Sequence, residues 1–211
     1  MTASQLVVWR HGRTEWNASN RFQGQADIAL DSLGGAQARR AAVVLAALRP
    51  AAIHSSDLMR ASVTAEALAT LTGLEVRLDR RLREIDVGSW EGLLGREIDE
   101  ADPELARRLH AGEDVRRSLT GESPSEVAER VAAALTEIVD AAADGSTVVV
   151  VTHGLAGRVG ACRFVGLPQP QWRVLGGLHN CAWIRIERHR TAGYWRIAEY
   201  NVVASLSGSD E

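Results

Sequence analysis

The sequence predicts an α/β fold of three layers, α/β/α, with a mainly parallel central sheet. Three observations carry that prediction. Short apolar runs of strand length alternate along the chain with longer helical segments, the pattern that gives parallel sheets with crossover helices. The clearest run, Thr147–Val151, holds four consecutive valines with a threonine on either side, as strands buried on both faces do. No internal repeat, low-complexity tract or Pro/Ser-rich linker interrupts the chain, so it reads as one domain over 1–204 with a polar tail at 205–211.

Each element follows from local pattern. Leu6–Trp9 is a short apolar run entering Arg10-His11-Gly12-Arg13 and reads as a buried strand. Ala36–Leu48 has the Ala/Leu content and 3.6 periodicity of a helix. Ala51–His54 predicts a second strand, Asp57–Leu71 a second helix and Val76–Leu78 a third strand. From Gly88 to Thr120 the chain is charged and broken by Gly88, Gly92 and Gly95, which predicts short helices and loops forming a lid-like insertion. Ser123-Pro124-Ser125-Glu126 is a helix start, with Ser at the N-cap, Pro at the first position and Glu at the third. That helix runs to about Ala143, the valine strand follows, and Gly154–Phe164 is the next helix. Cys181–Glu187 and Arg196–Val202 predict a closing strand pair.

Composition excludes several classes. With 24 basic and 27 acidic residues the formal charge is −3, too balanced for a protein that coats nucleic acid or anionic membrane. No apolar run has the length of a membrane span. Met1–Gln5 carries neither the basic patch nor the apolar core of a signal peptide. Cys162 and Cys181 form no CxxC pair, so the expectation is a cytoplasmic protein with buried thiols. Every basic residue is arginine. Without lysine there is no Walker P-loop and no Schiff-base chemistry, and any anion site must use guanidinium forks, histidines and backbone N–H groups.

Ligands of open α/β sheets bind beyond the carboxyl ends of the strands. There the sequence places Arg10-His11-Gly12 after the first strand, Ser55-Ser56-Asp57 with Arg60 after the second, and Thr152-His153-Gly154 after the valine strand. Two histidines and two arginines thus converge beside helix N-termini, which predicts a phosphate-sized anion site. A histidine between two arginines is disfavoured as a cation, so His11 keeps a ring nitrogen free to attack phosphorus. Glu84 is placed to protonate a leaving oxygen, although in the charged Arg80–Asp86 stretch it also fits a surface ion pair. Neither a cofactor nor a metal is required, since the arginines and His153 neutralise the equatorial oxygens. Gly154-Leu155-Ala156-Gly157-Arg158-Val159-Gly160 misses the dinucleotide pattern because Thr152 stands where its first glycine belongs. Gly157 and Gly160 are expected to let that helix pack on the sheet.

The chain from Leu6-Val7-Val8-Trp9-Arg10-His11-Gly12 to Trp16-Asn17 resembles the RHG signature of the histidine phosphatase (phosphoglycerate mutase-like) superfamily. The resemblance continues in order through Arg21-Phe22-Gln23-Gly24, Ser55–Ala61, Leu82-Arg83-Glu84, Gly88–Gly92, Gly121-Glu122-Ser123 and Thr152-His153-Gly154. It implies a phosphoglycerate mutase-like fold and His11 as a nucleophile forming a phosphohistidine. It further implies Arg10, Arg60 and His153 as phosphoryl ligands, Glu84 as proton donor, and Asn17, Gln23, Gly24 and Gly154 as secondary contacts. Arg13 departs from the family, which often has Glu or Gln there.

Cofactor-dependent mutases of this superfamily follow their glutamate with a His-Tyr-Gly stretch and a Leu-Asn-Lys; here Ile85-Asp86-Val87-Gly88 follows Glu84, as in the phosphatase branch. A metal-independent phosphomonoester hydrolase is therefore implied, with a mutase or a non-catalytic phospholigand-binding module as alternatives. Leu167–Trp172 and Leu175–Trp183 are similar to actinobacterial glucosyl-3-phosphoglycerate phosphatases, which implies a small phosphorylated sugar or glycerate as substrate, and homodimers occur among such relatives. Arg96, Arg116, Arg117 and His179 are candidates for reading the rest of the substrate. Trp16 and Trp90 are expected near the pocket and the other four tryptophans in the core or an interface.

Overall fold

The computed structural model describes residues 2–204; the polar tail expected at 205–211 lies outside the described residues. Strand β1 (Gln5–Arg10) leads into a single turn, α1 (Glu15–Ala18), then α2 (Ser32–Ala46), β2 (Ala52–Ser55), α3 (Met59–Thr72) and β3 (Val76–Leu78). The insertion contributes α4 (Gly95–Ala101) and α5 (Pro103–Ala111), and the chain closes with α6 (Pro124–Ala141), β4 (Thr147–Thr152), α7 (Gly154–Phe164), β5 (Trp183–Arg188) and β6 (Trp195–Val202). The six strands form one sheet in the order β3-β2-β4-β1-β5-β6. The first four are parallel, and β5 and β6 add an antiparallel edge.

Side-chain alternation along the central strands feeds two cores. Leu6, Val8, Val148 and Val150 face α6 and α7, whereas Val7, Trp9, Val149 and Val151 face α2 and α3. All four valines of β4 are fully buried, each stabilising the fold by about 1.5–3 kcal/mol relative to exposure. The expected start of α6 is present as a capping box: Ser123 Oγ accepts from Glu126 N and Glu126 reaches back to Ser123 N at 2.8 Å. Gly157 packs on the sheet as expected, but Gly160 faces α6 instead, where a Cβ would fall 2.2 Å from Val131. Trp9, Trp172 and Trp183 are buried and Trp195 packs on Phe164. Both cysteines are free and buried, which pushes the Cys162 thiol up to about 11 and Cys181 to about 12. Among the described residues no helix is long and apolar enough to cross a membrane.

The parallel register brings Arg10, Ser55 and Thr152 to one edge: Arg10 pairs with Thr152 and Ser55 with Val151. This is the edge at which β1, β2 and β4 release the chain into the loops carrying His11, Ser56 and His153.

Candidate active site

A cavity of about 240 Å³ opens at that edge, lined among others by Arg10, His11, Asn17, Gln23, Arg60 and Glu84. His11 forms its inner wall. Its Nδ1–H donates to the Gly12 carbonyl at 2.7 Å, which assigns the proton to Nδ1 and leaves Nε2 with a lone pair. Burial, then the charges of Arg60 and Arg10, hold its pKa well below the usual histidine value, so the ring is neutral. The loop cannot drift. Gly12 N donates to Thr64 Oγ1 on α3 at 3.1 Å, and a Cβ on Gly12 would fall 2.4 Å from the Gly34 carbonyl oxygen at the start of α2.

Arg60 is fully buried in the first turn of α3 and is tethered three ways. Nη1 donates to Ala26 O at 2.7 Å, Nη2 to Gly24 O at 2.8 Å, and Nε to His153 Nδ1 at 3.2 Å. Burial lowers its pKa to about 10, so it remains a cation. Gly24 can offer that carbonyl because it holds φ +52°, where a Cβ would strike Val87 at 2.6 Å. Its role is to hold Arg60 through its carbonyl. Arg10 donates from Nη1 to Leu178 O, and its buried Nε has no partner. Gly154 lies flat against this guanidinium, 3.4 Å from Cζ at the position of a Cβ.

His153 is fully buried behind the cavity wall, with its ring edge-on to His11 at 5.1 Å between centroids. Nδ1 accepts from Arg60 and Nε2 donates to Ser56 Oγ at 2.8 Å, so both nitrogens are engaged by protein groups.

The helix starts differ from expectation. The N–H groups of Leu155 and Ala156 in α7 donate to Glu84 at 3.1 and 3.0 Å, and Met59 N at the start of α3 donates to Asp27 at 2.7 Å. These donors, left orphaned by helix geometry, are satisfied by carboxylates from other loops and are not presented to a ligand. The reading of Glu84 as a surface ion pair is excluded by the same contacts. Glu84 Oε1 accepts from Ile85 N at 2.9 Å and from Ala156 N, while Oε2 accepts from Leu155 N alone. Oε2 is therefore the oxygen with room for a proton.

Asn17 is fixed at the cavity edge by α1: its Oδ1 accepts from Thr14 N at 3.2 Å and from Asn180 Nδ2 at 3.1 Å. Gln23 is 8% exposed and lines the cavity, and its acceptor Oε1 is unpartnered. Arg117 lines the cavity, together with Arg21 and Phe22. Arg13 instead pairs with Asp31 at 2.7 Å, Arg116 pairs with Glu126, and Arg96 and His179 are exposed outside the cavity. Trp90 packs edge-on against Phe22 at 6.0 Å and lines a separate hollow of about 640 Å³ beside α4 and α5. Trp16 lies against Gly92, outside the cavity lining.

A neutral histidine with a free ring nitrogen, two guanidinium groups and a carboxyl group lining one cavity fit the active site of a phosphatase. The chain belongs to the histidine phosphatase superfamily, branch 1, whose family model matches residues 6–203. It is 39% identical to the glucosyl-3-phosphoglycerate phosphatase of Mycolicibacterium vanbaalenii, over 98% of each chain. It is 37% identical to a probable phosphoglycerate mutase, GpmB, of Salmonella paratyphi A, over 87% of this chain and 84% of the relative. Among solved structures, mycobacterial glucosyl-3-phosphoglycerate phosphatase in complex with VO3 superposes with a TM-score of 0.87 at 38% identity, covering 95% of this chain and 100% of that one.

Proposed function

We propose that the protein is a metal-independent, cytoplasmic phosphomonoester hydrolase that works through a phosphohistidine on His11, with glucosyl-3-phosphoglycerate as its substrate. The observation that carries this reading is the neutral His11, its Nε2 free, between Arg10 and Arg60 in the cavity that Glu84 also lines. In the first step Nε2 bonds to phosphorus, the bond to the ester oxygen breaks, and Glu84 Oε2 passes its proton to that oxygen. In the second step Glu84 takes a proton from water as it attacks the phosphohistidine, releasing phosphate and restoring His11. The Arg10 guanidinium and Gln23 Nε2 supply donors to the phosphoryl oxygens, and Arg60 supplies charge, so the transition state is stabilised without a metal.

The substrate assignment rests on the relatives' names and on Arg117. Its guanidinium has a single long hydrogen bond, to Val115 O at 3.3 Å, and among the described residues no carboxylate pairs with it. It suits the carboxylate of a glycerate. Phosphate release in EDTA from glucosyl-3-phosphoglycerate, 3-phosphoglycerate and phosphoserine tests the proposal. The expected result is metal-free release, fastest from the first. Isomerisation of phosphoglycerates stimulated by a bisphosphate, without net phosphate release, would overturn it.

A further inference from the structure

We infer that Arg130, on α6 and outside the cavity, is the positioning residue for the proton donor Glu84. The inference rests on the proposed role of Glu84. Arg83 to Ile85 follows a short 3-10 turn (Arg80–Leu82), and neither segment belongs to a strand or α-helix, so the place of their carbonyls must be set from outside. Arg130 sets most of them. Nη1 donates to Arg81 O at 2.8 Å and to Arg83 O at 2.7 Å, and Nη2 donates to Glu84 O at 2.9 Å. Thr152 Oγ1 takes the one skipped, Leu82 O, at 2.7 Å. Four successive carbonyls leading to the carboxyl group are thus held by Arg130 and Thr152, with Gln25 Nε2 a longer, second donor to Glu84 O at 3.3 Å.

Arg130 is itself fixed by a bidentate pair, with Nε on Glu122 Oε1 and Nη2 on Glu122 Oε2, both at 2.7 Å. Glu122 Oε2 also accepts from Asp86 N at 2.9 Å, tying down the far side of the same loop. One planar fork meets three carbonyls and a carboxylate, a geometry that a lysine ammonium cannot reproduce. The side chain of Glu84 reaches forward to α7 while its main chain is held from behind by α6, so Oε2 is aimed by two helices that pack on each other.

A group that acts by aiming a proton leaves a mark that a merely structural group does not. Departure of an alkoxide from an alkyl monoester needs the proton; departure of dinitrophenolate does not. Because kcat/KM ends at phosphoryl transfer and excludes the later attack of water, Arg130→Met should lower kcat/KM for glucosyl-3-phosphoglycerate by about 10²-fold, the scale of an ångström of misplacement, and leave kcat/KM for 2,4-dinitrophenyl phosphate within a few-fold. Arg130→Lys should show the same selectivity at smaller size, and it decides the matter if the Met variant does not fold. Glu84→Gln, run in parallel, should show the same selectivity, and adding Arg130→Met to it should cost nothing further. If Glu84→Gln is selective but the Arg130 variants slow both substrates equally, or neither, the inference about Arg130 is overturned alone. If Glu84→Gln slows both equally, the proton-donor role falls and the Arg130 inference with it.

Discussion

Arg60 and His153 meet through a single hydrogen bond, Nε to Nδ1 at 3.2 Å, that fixes the state of both. Arginine can only donate, so His153 Nδ1 carries a lone pair and the ring proton sits on Nε2, where Ser56 Oγ accepts it. Arg60 in turn has its plane set by His153, Gly24 and Ala26. A buried guanidinium held at three points loses little freedom when it meets a phosphoryl group, the condition under which such a charge lowers a barrier most.

Arg60→Lys keeps the charge and loses the fork. The ammonium cannot serve Gly24 O, Ala26 O and His153 at once. Steady-state kinetics should show kcat/KM lower by about 10²-fold for Arg60→Lys and about 10³-fold for Arg60→Ala. Near wild-type activity in the Lys variant would show that charge alone suffices.

Stability should fall on the acid side because two histidines are buried neutral. Burial first, then the Arg60 charge, lowers the pKa of both His11 and His153 well below 6.5. The unfolded chain takes up protons on both below about pH 6.5 while the folded one does not. The unfolding free energy is therefore at its full value above pH 6.5 and declines as pH falls, by up to about 1.4 kcal/mol per pH unit for each histidine. Urea unfolding between pH 7.5 and 5.0 should show this slope, with half of it gone in His153→Gln. A flat profile would mean that the histidines protonate in the fold.

The wall of the site was legible in the sequence because strand ends and chain order sufficed. Arg10 and His11 had to leave a buried strand together, and β4, with its four valines, could deliver His153 only to the same edge. What the pattern could not reveal was orientation. His153 lies in the expected loop, yet its nitrogens turn to Arg60 and Ser56, a matter of rotamer and neighbours. The single turn α1 escaped notice because its capping box uses Asn17 where the usual signal is Glu or Gln. Arg130 carries no sequence signal at all: it is one polar position on an amphipathic helix, and only the packing of α6 under the Glu84 loop gives it work. The helix starts misled for the same reason, since the carboxylates that occupy them come from distant segments.

Arg117 should matter to binding more than to chemistry. It lines the cavity and touches none of His11, Arg10 or Arg60 by hydrogen bond. Arg117→Met should raise KM for carboxylate-bearing monoesters by about 10-fold or more, with KM for glucose 6-phosphate unchanged. An equal rise for both would remove the carboxylate from its assignment.

The central claim is that His11 Nε2 becomes covalently bonded to phosphorus during turnover. Rapid quench of the enzyme with labelled substrate, followed by peptide mapping, tests it most directly. The expected product is an acid-labile, base-stable phosphate on the peptide holding His11, attached at Nε2, formed in a burst and absent from His11→Ala, which should keep its fold and lose turnover. Full turnover in His11→Ala, or label on any other residue, would contradict the account.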